Sequence, residues 1–155
     1  RYGVDLILLA CSTFNRAVEL ARPMLDTPML QIDRPMMDLA VRDGSRVGLL
    51  ATVPTTVPAS ERLLRLAAEE AGREVAVTTR LCSEAFRVLK AGDPERHNEM
   101  LLAEIEALSG SVDAIVMAQI SMSALEPRLT RTRVPVYNSG RTGLNRVREI
   151  LESLG

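Results

Sequence analysis

Short, continuous apolar runs alternate with helical patterns along this chain. The first run extends from Val4 to Ala10, and similar runs follow at 29–32, 47–52, 75–79, 112–118 and 134–137. Strands of a parallel sheet are buried on both faces, so continuous apolar runs of this length are typical of them. The pattern predicts six such strands.

Helix signals occupy the gaps between the runs. Segment 60–71 is amphipathic and ends before Gly72, whereas Asp93 caps and Pro94 begins a helix that reaches about Leu108. The first run is followed by a further helix pattern, capped by Ser12 or Thr13 and stopped by Pro28, with an apolar stripe at Ala17, Leu20, Ala21 and Met24. Alternating strands and helices predict an α/β fold, doubly wound, with right-handed crossovers.

An internal repeat divides the chain into two halves. The run that opens with Val4 matches the run that opens with Val112, and each continues through a capped helix to a proline-led strand. Two strands precede the second copy but only three residues precede the first, so we expect a first lobe truncated at its N-terminus. The predicted organisation is a partial first lobe at 1–44, a second α/β lobe at 45–140, and a C-terminal helix at 141–155 that packs back on the first lobe.

Composition narrows the classes of function. The chain has 155 residues, and its 19 basic and 20 acidic side chains give a formal net charge of −1, which offers no electrostatic footprint for nucleic acid or an anionic membrane. The apolar runs are too short to span a bilayer, and no signal segment opens the chain. Two cysteines are typical of reduced thiols in the cytoplasm, and a single histidine, His97, argues against a zinc site.

Candidate chemistry lies where the predicted strands end. Ligands of open parallel sheets bind beyond the carboxyl ends of the strands, and three polar segments lie there, at 11–13, 52–56 and 119–121. Cys11 stands at a strand-to-helix turn, where a helix N-terminus favours the thiolate form. Nearby hydroxyls and backbone N–H groups could hold a carboxylate. The alternative is a buried, apolar cysteine beside ordinary Ser and Thr helix caps.

The order and spacing of these segments resemble the aspartate/glutamate/hydantoin racemase superfamily over nearly the whole chain. The matching motifs are Ala-Cys11-Ser-Thr, Ala-Thr52-Val-Pro-Thr-Thr and Ala-Gln119-Ile-Ser. The resemblance implies two pseudosymmetric α/β lobes with a cleft between them, and cofactor-independent chemistry at the α-carbon of a small amino acid or carboxylate. It also favours a homo-oligomer. It makes Cys11 catalytic and gives the substrate-binding residues as Ser12, Thr13, Thr52, Thr55, Thr56, Gln119, Ile120 and Ser121.

Residue 119 departs from the family pattern, and this departure leaves other functions open besides two-base racemisation. Gln119 stands where the family has its second cysteine, and an amide does not titrate near neutral pH. A single-cysteine decarboxylase, a maleate-type cis-trans isomerase and a non-catalytic carboxylate-binding protein therefore compete with a two-base racemase. Cys82 could replace the missing thiol, although an inert, half-buried role fits it better.

Three further features have structural interpretations. His97 is expected to be an exposed helix residue, and segment 139–143 is expected to cap a helix, since it lacks the spacing of a phosphate loop. Methionines 24, 29, 36 and 37 are expected to fill the core.

Overall fold

The computed structural model of the chain describes residues 3–130 and 132–154. Arg1 and Tyr2 of the predicted first lobe, and Gly155 of the predicted C-terminal helix, lie outside these ranges. The strands are β1 (Ile7–Leu9), β2 (Met29–Gln31), β3 (Arg46–Ala51), β4 (Ala76–Leu81), β5 (Ala114–Met117) and β6 (Val136–Asn138). The α-helices are α1 (Asn15–Ala21), α2 (Arg34–Asp43), α3 (Thr56–Glu70), α4 (Ser83–Lys90), α5 (Pro94–Ser109) and α6 (Ser139–Leu154). Three 3₁₀ helices span Ser12–Phe14, Arg22–Met24 and Ile120–Arg128.

Two parallel sheets organise the molecule. β1 pairs with β2 in a two-stranded sheet, while the second sheet has the order β4-β3-β5-β6. One face of the second sheet packs on α2 and α3, through residues such as Met37, Leu64 and Val116. The other face packs on α5 through Leu101 and its neighbours. The predicted two-lobed α/β fold with parallel, doubly wound sheets is confirmed, and each predicted apolar run overlaps a strand.

The internal repeat is visible in strand register. Ile7 of β1 pairs with Met29 of β2, and the residues at the same places in the second copy, Ile115 and Val136, also pair in parallel. The connections differ, because the first half uses α1 between two short 3₁₀ helices and the second uses the 3₁₀ helix Ile120–Arg128 alone. The repeat thus preserves strand pairing and changes the connecting helix.

The predicted burial of the first strand and helix is wrong. Leu20 and Met24, from the predicted apolar stripe, are 66% and 83% exposed, and the buried residues of α1 are Asn15 and Val18 instead. Residues 12–14 form a 3₁₀ turn, so α1 begins later than the capping pattern suggests and presents a different face. β1 is only partly buried because it is an edge strand of a two-stranded sheet.

The helices α5 and α3 were both predicted, and the start of α5 agrees more closely with the prediction than the start of α3. α5 begins at Pro94 as predicted, and the Asp93 side chain accepts a hydrogen bond from the backbone nitrogen of Arg96 at 2.9 Å. α3 begins at Thr56, four residues before its predicted start. Of the four methionines predicted to fill the core, Met36 and Met37 are fully buried, Met29 is only partly buried, and the prediction for Met24 is wrong because its side chain is exposed.

Helix α6 lies close to the segment that joins the two sheets. A Cβ atom added at Gly143 would lie 2.5 Å from Cγ1 of Ile32 and 2.6 Å from its carbonyl oxygen. Ile32 follows β2 directly, so this close approach places the start of α6 against the crossing from the first sheet to α2. None of the helices in the described part of the chain combines the length and apolarity needed to cross a bilayer.

Candidate functional site

The turn after β1 is bound to the end of β5. The buried hydroxyl of Ser12 donates a 2.8 Å hydrogen bond to the carbonyl oxygen of Ala118. Cys11 precedes Ser12 and Gln119 follows Ala118, so this bond brings the ends of the two repeated strands to one junction between the sheets. Neither the 3₁₀ helix that begins at Ser12 nor α1 has a side-chain cap hydrogen bond.

Gln119 is anchored to the end of β3. Its side-chain oxygen accepts hydrogen bonds from the backbone nitrogen of Thr52 at 2.6 Å and from the Thr52 hydroxyl at 2.9 Å, and it lies 3.3 Å from the backbone nitrogen of Val53. With its oxygen engaged, the amide offers only N–H donors to other groups. Within residues 3–130 and 132–154 these donors have no hydrogen-bond partner. Gln119 can thus present N–H groups to an anion while it holds β3 and β5 together.

Cys11 is exposed at this junction. It has an extended backbone (φ −132°, ψ 108°), and its carbonyl oxygen accepts a hydrogen bond from Phe14 at 3.0 Å. The alternative interpretation, a buried cysteine beside Ser and Thr caps, fails on two counts. The thiol is accessible, and neither the turn after β1 nor the start of α3 has a side-chain cap bond.

The other residues predicted to bind substrate lie in the turn after β1, at the start of α3 and in the 3₁₀ helix after β5. The hydroxyls of Thr13 and Thr55 lie 3.5 Å apart, which connects the turn after β1 with the start of α3. Thr56 is buried at the first position of α3. Ile120 and Ser121 are exposed in the 3₁₀ helix after β5. Direct hydrogen bonds therefore connect Ser12 to the end of β5, Thr13 to Thr55, and Thr52 to Gln119.

A buried polar cluster beside the junction was missed by the sequence analysis. We define it as Asn15, Gln31, Asp33 and Ser139, all at least 97% buried. The Asn15 amide donates to Oδ2 of Asp33 at 2.9 Å, and the Gln31 amide donates to the Asn15 carbonyl at 2.9 Å. The only sequence signal was Gln31, a polar residue inside an apolar run.

Burial raises the pKa of Asp33 above its ordinary value. The raising effect of desolvation is partly offset by the neighbouring Ser12, Asn15 and Ser139 side chains, which favour the charged form. Each of these neighbours is uncharged. The carboxyl of Asp33 is thus a buried acid without an ionic partner among them.

Two other titratable candidates lie away from this junction. Cys82 is half-buried, as predicted, just before the start of α4, and it packs beside the core on the α5 face. The prediction that His97 is exposed is wrong, because it is 3% exposed on the face of α5 that also carries Leu101 and Ile105. Spacing of four residues places all three on one buried stripe.

Segment 139–143 forms the first turn of α6, and the Asn138 side chain, which precedes this segment, accepts from the backbone nitrogen of Arg141 at 2.8 Å. The capping residue is therefore Asn138, and the prediction that segment 139–143 itself caps the helix is wrong. Across the described ranges, no group of three or more His, Cys, Asp or Glu side chains is placed to hold a metal ion.

Comparison with known proteins gives consistent matches. Residues 1–147 match the family model described as Asp/Glu/Hydantoin racemase. A hydantoin racemase from Rhizobium meliloti is 31% identical over 157 residues, a match that covers 99% of this chain and 62% of the relative. The chain thus spans about three fifths of the length of that relative.

Solved structures share the fold. A glutamate racemase from Bacillus anthracis superposes with a TM-score of 0.71 at 15% identity, covering 98% of this chain and 59% of that one. An allantoin racemase from Klebsiella pneumoniae gives a TM-score of 0.67 at 23% identity, covering 97% and 60% of the two chains.

Proposed function

The chain belongs to the Asp/Glu/hydantoin racemase family, and on this premise we propose that it is a cofactor-independent, isomerase-like enzyme acting at the α-carbon of a small amino acid or carboxylate. The observation that carries the proposal is the exposed Cys11 thiol at the junction where Ser12 binds the end of β5. This exposed thiol lies at the junction that also carries N–H and O–H donors suited to a carboxylate.

The donors have a defined chemical task. Removal of an α-proton leaves negative charge on the substrate carboxylate, and N–H and O–H groups aimed at those oxygens stabilise it. The Gln119 amide supplies N–H donors because its oxygen is engaged by Thr52. The exposed hydroxyls of Thr13 and Thr55 supply further donors at the start of α3.

Cys11 is the base in this scheme. Its thiolate takes the α-proton to form a thiol and an enediolate, and the thiol returns a proton to the same carbon. In D₂O the returned atom is deuterium. Because Gln119 cannot exchange a proton, inversion at the α-carbon requires an acid other than residue 119 on the opposite face, whereas exchange requires Cys11 alone.

Solvent exchange tests the proposal directly. The protein is incubated in D₂O with each enantiomer of aspartate, glutamate and a 5-substituted hydantoin, and loss of the α-proton signal is followed by NMR while chiral chromatography follows inversion. We expect exchange with at least one substrate, abolished in Cys11→Ser and retained in the matched Cys82→Ser variant. Equal exchange in Cys11→Ser and the unsubstituted protein would exclude the thiolate role.

The position of Gln119 favours a second candidate, an activity with one cysteine or binding without catalysis. A single thiol suffices to protonate the enediolate left by decarboxylation or to add to the alkene of maleate. Carbon dioxide release from a disubstituted malonate and conversion of maleate to fumarate are the corresponding assays. A protein that binds these acids, turns over none of them and gives no exchange is a carboxylate-binding protein.

A further inference from the structure

The buried polar cluster lies where three helices begin. Asn15 is the first residue of α1, four positions after Cys11, and Ser139 is the first residue of α6. Asp33 immediately precedes α2, in the short segment that leaves the two-stranded sheet for the four-stranded one. The cluster therefore joins the Cys11–Ser12 turn to the elements that connect the two sheets.

Hydrogen bonds within the cluster do not balance when Asp33 is ionised. Asn15 donates its amide N–H to Oδ2 of Asp33, but Oδ1 of Asp33, Oδ1 of Asn15 and the hydroxyl of Ser139 are buried without partners. The Ser139 hydroxyl can donate to Oδ1 of an ionised Asp33, but a carboxylate has no proton for Oδ1 of Asn15, and this buried acceptor would be left unsatisfied at a substantial cost. A carboxylic acid removes the conflict, because its O–H donates to the free amide oxygen.

Within residues 3–130 and 132–154, no charged side chain is among the groups that shift the pKa of Asp33. The side chains that face it from the 12–14 turn, α1 and α6 are Ser12, Asn15 and Ser139. On its own helix, Arg34 is engaged by Asp38 at 2.7 Å and Glu70 at 2.6 Å. Burial without a cation favours the neutral form.

We propose that Asp33 is a positioning residue that acts in its protonated form, donating its O–H to the Asn15 side-chain oxygen and so fixing the start of α1 and the Cys11–Ser12 turn against α2 and α6. The acid O–H then donates to the amide oxygen of Asn15, while the amide N–H of Asn15 donates to Oδ2 of Asp33. The functional meaning of the position rests on the proposed role of Cys11, whereas the protonation of Asp33 does not.

The hydrogen-bond network transmits this effect to the site. The Gln31 side-chain amide donates to the backbone carbonyl oxygen of Asn15, and the Ser12 hydroxyl donates to the Ala118 carbonyl oxygen at the end of β5. Loss of the Asp33 proton turns an attraction between two oxygens into a repulsion at the first turn of α1. The turn that carries Cys11 is then less firmly held.

Substitution at Asp33 tests the protonated state. Asp33→Asn retains a donor and an acceptor in the same shape, whereas Asp33→Ala removes both. The matched control is Asp38→Asn, the same chemical change at a half-exposed position on α2. Thermal unfolding from pH 4 to 9 and the iodoacetamide reactivity of Cys11 relative to Cys82 are measured for all four proteins.

The expected dependence of thermal stability on pH follows from the raised pKa of Asp33. A carboxyl whose pKa is raised on folding binds more protons folded than unfolded, so the unsubstituted protein loses stability as pH rises through the folded pKa. We expect Asp33→Asn to lack that loss and to keep the reactivity ratio of the two thiols. Asp33→Ala should unfold several degrees lower at acidic pH and change the ratio several-fold.

Two results would overturn the proposal. One is an unsubstituted protein whose pH profile matches that of Asp33→Asn throughout the range. The other is an Asp33→Asn variant as unstable as Asp33→Ala, which would mean that the carboxylate itself is needed. Neither readout uses turnover, so failure of the exchange assay with these results intact would reject the proposed function alone.

Discussion

The side-chain oxygen of Gln119 lies 2.6 Å from the backbone nitrogen of Thr52 and 2.9 Å from the Thr52 hydroxyl. This pair ties the end of β5 to the end of β3, at the place that the repeat makes equivalent to Cys11. The amide thus has a structural role that a cysteine would not fill, since a thiol is shorter and accepts hydrogen bonds weakly. Its N–H groups are left for a ligand.

Gln119→Cys tests whether a second thiol restores two-base chemistry. We expect racemisation of an acidic amino acid to appear or rise, with deuterium entering from either enantiomer. The same change leaves the donors of Thr52 without their acceptor and should cost about 1–3 kcal/mol of unfolding free energy. Urea denaturation measures the cost, and chiral chromatography measures the racemisation.

The control for this change is Gln119→Ser, which removes the same amide and puts a hydroxyl that does not titrate near neutral pH in place of the thiol. Its loss of stability should be similar to that of Gln119→Cys, without a gain in racemisation. If Gln119→Cys folds and binds a dicarboxylate, yet shows neither exchange nor racemisation, the two-base interpretation is wrong. A single-cysteine reaction then takes precedence.

Cys11 and Cys82 should differ in reactivity towards iodoacetamide. Cys11 is exposed, whereas Cys82 is half-buried and its backbone nitrogen is bound to the Ala51 carbonyl at 2.8 Å. We expect faster alkylation of Cys11 near neutral pH, mapped by mass spectrometry, and protection of Cys11 by small dicarboxylates. Equal rates, or no protection by any acid tested, would count against a carboxylate site at this thiol.

Ser12→Ala should weaken the junction between the sheets. The variant loses the 2.8 Å hydrogen bond to the Ala118 carbonyl oxygen. This loss should lower the free energy of unfolding by about 1 kcal/mol. The matched control is Ser109→Ala, which removes a buried 2.7 Å bond to the Ile105 carbonyl within α5. Both variants should lose similar stability, and only Ser12→Ala should alter the alkylation rate of Cys11. A shift of that rate in both would mean that general destabilisation explains it.

Strand positions could be predicted from the sequence because burial on both faces of a parallel sheet leaves an unbroken apolar run. The run at 112–118 contains β5, whose residues are all buried. The run at 4–10 has the same appearance, yet β1 is half-buried and Val4 is exposed. An apolar run shows that a segment can be buried, but it does not show which other element packs over it.

The site was predictable only where its residues follow strand ends. Cys11 and Gln119 were found through the repeat, but Asp33 was missed because nothing in its sequence context distinguishes a buried carboxyl from an exposed one. Its burial depends on α1 and α6, which are distant in sequence. The exposed position predicted for His97 failed for the same reason, since α5 presents that face to the sheet.

Asp113 should govern part of the acid sensitivity of the fold. Its carboxylate accepts bonds from the Arg46 side chain and from the backbone nitrogens of Arg46 and Ser45, which lower its pKa from 3.8 to about 2. A depressed pKa gives stability that is fully present above pH 4 and is lost as pH falls towards 2. Thermal unfolding between pH 2 and 5 should show a shallower slope in Asp113→Asn. An unchanged slope would assign that acid sensitivity to other carboxyls.

Gly143→Ala should separate α6 from the segment that joins the sheets. The new methyl group would lie 2.5 Å from Cγ1 of Ile32 and 2.6 Å from its carbonyl oxygen, and backbone cannot yield as a flexible side chain can. Overpacking of this kind costs about 1–3 kcal/mol, which a lower urea midpoint at unchanged slope would report. Gly110→Ala is the control, because a Cβ there meets no heavy atom within 4 Å and φ is −77°. Since Ile32 adjoins Asp33, Gly143→Ala should also change the alkylation rate of Cys11, and Gly110→Ala should leave that rate unchanged. A loss of stability without any change at Cys11 would show that α6 supports the fold without holding the turn after β1.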